Sequence, residues 1–81
     1  MRLTIISPQK KKMYVIDWIE CKTIDGTLVI CLGHVPTVLL LADNESVMFK
    51  LDTGKQQTLF VASGIAEVFR DSITLIVSNV S

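Results

Sequence analysis

Glu45-Ser46-Val47-Met48-Phe49-Lys50-Leu51 runs into Asp52-Thr53-Gly54-Lys55 and then into Gln56-Gln57-Thr58-Leu59-Phe60-Val61-Ala62. In the first run Val47, Phe49 and Leu51 alternate with Ser46, Met48 and Lys50. Side chains two apart share one face of a strand, so Val47, Phe49 and Leu51 can lie together against a core. The Asp-Thr-Gly-Lys segment between the two runs is a hairpin signal, because Asp bonds its own backbone and Gly supplies a positive φ.

The same period recurs outward from this hairpin. Near the end of the chain Ile73, Leu75 and Val77 alternate with Thr74, Ile76 and Ser78. β-Branched and aromatic residues dominate both runs, as strands prefer. Turn signals punctuate the chain at Ser7-Pro8, Asp25-Gly26, Gly33 with Pro36, Asp43-Asn44, Ser63-Gly64 and Arg70-Asp71-Ser72. Between them fall candidate strands near 3–6, 13–23, 28–32, 37–42, 45–51, 56–62, 65–69 and 73–79. No ten-residue window reads as an amphipathic helix. Short strands at regular spacing predict an all-β fold, a small β-sandwich of about eight to ten short, mostly antiparallel strands. The 81 residues suffice for a single β-sandwich domain, 1–81. Its core is expected to include Ile5, Ile19, Phe49, Phe60, Val61 and Leu75.

Charge and composition narrow the function. Eight basic and eight acidic residues leave no net charge, and so no electrostatic footprint for nucleic acid or for an acidic membrane surface. The one basic run, Lys10-Lys11-Lys12, reads as a solvated turn. The opening apolar stretch is too short for a signal peptide. The longest apolar zone, Leu28 to Ala42, is broken by Gly33, His34 and Pro36, short of the ~20 apolar residues of a membrane helix. Cys21 and Cys31 both stand in apolar strand-like stretches and read as small buried hydrophobes of a reducing compartment.

Two stretches, Leu28-Val29-Ile30-Cys31-Leu32 and Val38-Leu39-Leu40-Leu41-Ala42, are apolar on consecutive positions. A strand of that kind has both faces covered. One small sandwich interior does not cover both faces of two strands. Either a partner protein takes the second face, or a sandwich corner and a crossing loop do.

Residues for catalysis are sparse. His34 is the one histidine, so no Ser–His–Asp arrangement has a choice of base. The aspartates are mostly next to turns, where Asp caps backbone. Cys31 and His34 form a C-x-x-H pair to which Cys21 adds at most one ligand, short of the four that zinc wants. No P-loop and no G-x-G-x-x-G is present, so the residues assign no catalytic, cofactor or metal site. His34, in Gly33-His34-Val35-Pro36, reads either as a polar turn residue or as a contact residue on a loop held by a rigid scaffold.

Taken in order, the segments resemble the N-terminal domain of the ATP synthase epsilon subunits, the mitochondrial delta equivalent. That family opens with a short strand and a Thr-Pro or Ser-Pro turn, here Leu3-Thr4-Ile5-Ile6-Ser7-Pro8, followed by a hydrophobic-Tyr pair, here Met13-Tyr14. Its most specific stretch, G-E-x-G-I-L-P-G-H-A-P, corresponds to Gly26-Thr27-Leu28-Val29-Ile30-Cys31-Leu32-Gly33-His34-Val35-Pro36. A later V-S-G-G-F-x-E-V segment corresponds to Ala62-Ser63-Gly64-Ile65-Ala66-Glu67-Val68, one residue shorter, and its V-T-I-L strand to Ile73-Thr74-Leu75-Ile76-Val77. Thr27 stands where the family has an acidic residue, Val29 where it has a second glycine and Leu32 where it has its first proline.

The resemblance implies a non-catalytic central-stalk subunit of a rotary proton- or sodium-translocating ATP synthase, linking the gamma subunit to the c-ring. It implies one sheet face on gamma and lower loops on the ring, with Thr27, Leu32, Gly33, His34 and Pro36 on the ring side. It implies no cofactor, no nucleic acid and no direct membrane insertion. The chain is then a monomer within a hetero-complex, peripheral on the cytoplasmic face of a bacterial inner membrane, and otherwise cytoplasmic. The family usually continues into two antiparallel helices that restrain ATP hydrolysis in bacterial enzymes. A chain ending at Ser81 is expected to lack that hairpin and its self-inhibition. The alternatives are an epsilon-like sandwich repurposed as an interaction module in another complex, held open by Thr27, Val29 and Leu32, and a small enzyme or metal protein using Cys31 and His34.

Overall fold

A computed structural model describes residues 1–80, which fold into eight strands: β1 (Arg2–Ile6), β2 (Lys11–Thr23), β3 (Gly26–Cys31), β4 (Thr37–Leu40), β5 (Glu45–Leu51), β6 (Gln56–Val61), β7 (Gly64–Val68) and β8 (Ser72–Val77). No helix occurs among the described residues. The Asp52-Thr53-Gly54-Lys55 turn joins β5 to β6 in an antiparallel ladder from Lys50↔Gln56 to Glu45↔Val61. The Leu51 N–H closes it on the Lys55 carbonyl at 2.8 Å, with Gly54 at φ 97°, a left-handed conformation that glycine adopts without steric cost.

Two sheets make the sandwich. One runs β4-β7-β8-β1-β2 and the other β3-β2-β5-β6, so β2 belongs to both. Thirteen residues of straight strand would span roughly 40 Å, more than the 25 Å long axis of the molecule. β2 therefore bends. The register against β5 shifts between Ile16 and Trp18, the signature of a bulge, which leaves a residue unpaired and turns the strand. All named pairs are antiparallel except β1 with β8. A Thr23↔Leu41 bridge joins the end of β2 to the strand at the far edge of the first sheet, and Val61↔Val80 ties the chain end to β6.

The alternation read from sequence is the alternation of burial. Val47 and Phe49 are buried on β5, and Ile73, Leu75 and Val77 on β8. They join Leu3, Ile5, Ile16, Ile19 and Ile30 in one cluster that, among the described residues, buries no polar or charged side chain. Tyr14 lies against Phe49 with ring centroids 5.0 Å apart and a 50° tilt. Of the six expected core residues, Ile5, Ile19, Phe49, Val61 and Leu75 are buried. Phe60 is not: it is 47% exposed. It falls between Leu59 and Val61 in an unbroken apolar run, and a strand turns alternate residues to opposite faces. Its partner is Ser46 on the outer face, while Val61 points inward.

Two further expectations are corrected. Cys21 is buried but Cys31 is exposed, because Leu28 and Ile30 take the inward positions of β3 and Cys31 falls on the alternate face with Thr27 and Val29. The lysine run is not all turn. Ser7 and Lys10 close the turn through paired backbone bonds of 2.9 and 3.3 Å, and Lys11 and Lys12 already belong to β2.

Candidate partner interface

The β3–β4 connection, residues 32–36, leaves one sheet and enters the other. Gly33 sits at φ 88° and donates its N–H to the Arg70 carbonyl at 2.6 Å, pinning the loop to the β7–β8 turn. The His34 N–H donates to the Cys31 carbonyl at 3.3 Å. The His34 ring lies with Nδ1 2.8 Å from the Val35 carbonyl oxygen, so Nδ1–H donates there. His34 is half-buried, while Leu32, Val35 and Pro36 are exposed. Leu32 also borders a hollow of about 330 Å³ with Met1, Arg2, Val15, Asp71 and Ser72. The loop is thus a mostly apolar tip, tied to the β7–β8 turn through Gly33, with one imidazole in it.

Thr27 does not join this tip. It pairs with Lys22, one residue from the β2–β3 turn, whereas Leu32 follows Cys31 at the other end of β3. Five residues of strand separate them by roughly 16 Å. Leu32, Gly33, His34 and Pro36 form one loop; Thr27 stands apart from it.

Cys21 and Cys31 also stand apart. Cys21 lies in the core, where burial first and the neighbouring Glu20 charge second push its thiol up to about 12. Cys31 points out. Among the described residues no three His, Cys, Asp or Glu side chains converge in a way that would hold a metal ion.

An organised apolar surface lies on the outer face of the β4-β7-β8-β1-β2 sheet, and it is built by register. Leu40 stands opposite Ile65, Ile65 opposite Ile76, and Ile76 opposite Ile6. This apolar row crosses four strands. Val38 and Met13 flank it, at the two ends of the next row. Leu40 is 60% exposed and Val38 63%. Between Val38 and Met13 that next row is polar, with Glu67, Thr74 and Thr4. The continuous apolar surface is therefore the single four-strand row, in contrast to the scattered single apolar residues of an ordinary surface. The opposite sheet's outer face is mixed, with Lys22 near Glu45 at 3.6 Å and Lys50 near Asp17 at 3.8 Å. The doubly apolar stretches signalled a surplus of apolar surface, and on the β4 side Val38 and Leu40 remain uncovered. Ile6, Ile65 and Ile76 gave no such signal, because only the strand pairing brings them into line.

Comparison with known proteins agrees with this architecture. The family described as ATP synthase, Delta/Epsilon chain, beta-sandwich domain matches residues 1–81. No curated protein matches the chain in sequence. A chain in the cryo-EM structure of the Euglena gracilis mitochondrial ATP synthase, OSCP/F1/c-ring, superposes with a TM-score of 0.90 at 21% identity, covering 98% of this chain and 51% of that one. A chain in the cryo-EM structure of the Tetrahymena thermophila mitochondrial ATP synthase central stalk and c-ring gives 0.85 at 16% identity, covering 100% of this chain and 65% of that one. At such identities the likeness shows the fold, and this chain spans half to two thirds of the length of those two.

Proposed function

The chain belongs to the ATP synthase delta/epsilon chain β-sandwich family, and from that membership we propose that it is a non-catalytic central-stalk subunit of a rotary ATP synthase, peripheral to the coupling membrane, that links the gamma subunit to a proton- or sodium-driven c-ring. The observation that carries the reading is the family match over the whole chain. The two surfaces described above supply the two contacts that such a link needs.

The outer face carrying Leu40, Ile65, Ile76 and Ile6 is the docking face for gamma. Its apolar row spans four hydrogen-bonded strands, so the face is pre-formed and costs little ordering on binding. The 32–36 loop is the ring contact, with Leu32 and Pro36 as apolar contacts and His34 as the polar one. Gly33 serves by holding the loop to Arg70. Torque passes between the two contacts only if the body between them does not yield. β2 runs through both sheets and pairs with β1, β3 and β5, so load applied at the loop is carried by backbone hydrogen bonds and a close-packed core, and packed interiors transmit strain.

The chemistry of this role is mechanical, and no proton transfer or bond making is assigned to any side chain. Thr27, at the other end of β3 from the loop, belongs to the ring side only if the ring contact extends along that strand. The test is affinity purification of the tagged chain from membranes of its source cells. Recovery of gamma and ring subunits is the expected result. Recovery of a different assembly without them would establish the repurposed interaction module instead.

A further inference from the structure

β3 is an open edge, and its backbone alternation can be followed from its neighbour. The Lys22 carbonyl accepts from Ala42 N–H at 2.8 Å on the side of β2 away from β3. Ile19, Cys21 and Thr23 therefore turn their backbone groups toward β3, where they meet Ile30, Leu28 and Gly26. Thr27, Val29 and Cys31 are left pointing N–H and C=O out of the sheet. Of these groups the Cys31 carbonyl alone has a described backbone partner, the His34 N–H.

Natural sheets blunt such an edge with lysine, proline, a bulge or a cover. β3 has none of the first three: it is Gly-Thr-Leu-Val-Ile-Cys, uncharged, and its six pairs with β2 run in unbroken register. The side chains of Thr27 and Val29 are exposed as well, Val29 at 52%. The apolar residues at the two ends of the strand are more exposed still, Ile24 at 75% and Leu32 at 68%.

We propose that the free chain pairs with a second copy of itself through β3, antiparallel, with Val29 of each copy facing the other at the twofold axis. An isologous contact requires the same patch to complement itself, and this one does. With Val29 on the axis, Thr27 falls opposite the second copy's Cys31, which are the residues with outward backbone groups. The exposed Ile24 and Leu32 lie in the turns that bound β3, just beyond the two ends of the paired stretch. The two four-stranded sheets become one of eight strands. The pairing concerns the free chain and does not depend on the stalk reading; it uses the edge of one sheet and leaves the apolar outer face of the other untouched.

The experiment combines sedimentation equilibrium of the purified chain with cross-linking of a Val29→Cys, Cys31→Ser variant. Facing residues in a hydrogen-bonded antiparallel pair have Cα atoms about 5.5 Å apart, within reach of a disulfide. The expected result is a reversible dimer for the wild type, a disulfide-linked dimer for the variant under mild oxidation, and an unchanged dimer for Ile76→Lys. Val29→Lys, with circular dichroism unchanged, weakens dimerisation at least about tenfold, since like charges then meet at the axis. A wild type that stays monomeric at every concentration overturns the proposal. So does oxidation in which native Cys31 cross-links as fast as Cys at position 29, or loss of the dimer in Ile76→Lys.

Discussion

Ile65 on β7 and Ile76 on β8 stand directly opposite one another on the outer face of their sheet, and both remain outside the core. The pair sits in the middle of the apolar row that ends at Leu40 and Ile6. A cross-strand isoleucine pair contributes roughly 0.2–1 kcal/mol of packing. A lysine there keeps its stem on the sheet and its ammonium in water. Ile76→Lys should therefore cost about 1 kcal/mol of stability or less, while weakening association with gamma at least tenfold. Urea unfolding and a binding titration with purified gamma check the two halves separately. Binding unchanged by Ile76→Lys would move the gamma contact to another face.

That row was not legible in the sequence. Val38 and Leu40 belong to a doubly apolar stretch and announced uncovered surface. Ile6, Ile65 and Ile76 come from three separate strands, and only register aligns them. Periodicity fixes which residues of one strand share a face; it does not say which strand lies alongside. The same limit explains Phe60 and Cys31. Leu59-Phe60-Val61 is apolar throughout, so either phase of the alternation satisfies it, and the pairing of Ser46 with Phe60 decides it. The strands themselves, the β5–β6 hairpin and five of the six expected core residues were legible, because there the alternation was unambiguous and turn residues bounded it. The Leu32–Pro36 loop was legible from Gly33 and Pro36, whereas the separation of Thr27 from it needed the direction of β3.

Phe49 and Phe60 make that distinction measurable. Phe49 is fully buried against Tyr14, and Phe60 is half in water on β6, the edge strand opposite β3. Phe49→Ala removes a core ring and leaves a cavity, at a cost of about 3–5 kcal/mol, a large share of the marginal stability of a small domain. Phe60→Ala should cost about 1 kcal/mol or less. Thermal unfolding of the two variants gives the contrast, and equal losses would contradict the placement of Phe60.

Gly64 opens β7 where no side chain fits. A Cβ there would come within 2.5 Å of the Ile76 carbonyl oxygen and 2.8 Å of Val77 Cγ1. The first of these is backbone in a paired strand and cannot swing aside. Gly64→Ala should lower stability by about 1–3 kcal/mol, the range for forcing atoms into a packed site, despite alanine's smaller unfolded-state entropy. Chemical denaturation measures the loss directly.

The Cys21 thiol gives a pH dependence with a definite sign. Burial favours the neutral form, so the folded chain holds its proton up to about 12 against an ordinary value of 9.0. The unfolded chain releases that proton first. The stability tied to Cys21 is therefore fully present below pH 9.0 and is lost as pH rises from there toward about 12. Comparing urea midpoints of the wild type and Cys21→Ala from neutral pH upward isolates this contribution from the lysines and the tyrosine, because the variant lacks it. A wild-type midpoint that falls no more steeply than the variant's would refute it. In the folded chain a thiol reagent at pH 8 should label Cys31 and spare Cys21, since the thiolate is the reactive form.

His34 is where stability and function should separate most clearly. Its imidazole bonds only the carbonyl of its own neighbour, Val35, through Nδ1, and its backbone N–H closes the turn on Cys31 whatever side chain it carries. Removing the ring leaves no described buried polar group without a partner and opens no cavity in the core. His34→Ala should shift stability by no more than about 0.5 kcal/mol, as surface substitutions do. Gly33, beside it, differs: its φ of 88° is one that a residue with a Cβ adopts only with strain, so Gly33→Ala should lower stability where His34→Ala does not. If the loop is the ring contact, His34→Ala weakens assembly with the c-ring while gamma binding stays intact, because the gamma face lies on a different surface. Thr27→Ala, at the other end of β3, should leave ring assembly as it was. Reconstitution of each variant with gamma and detergent-solubilised ring, read by the amount of ring retained, gives the comparison. Full ring retention by His34→Ala together with loss in Thr27→Ala would move the ring contact to the opposite end of the strand.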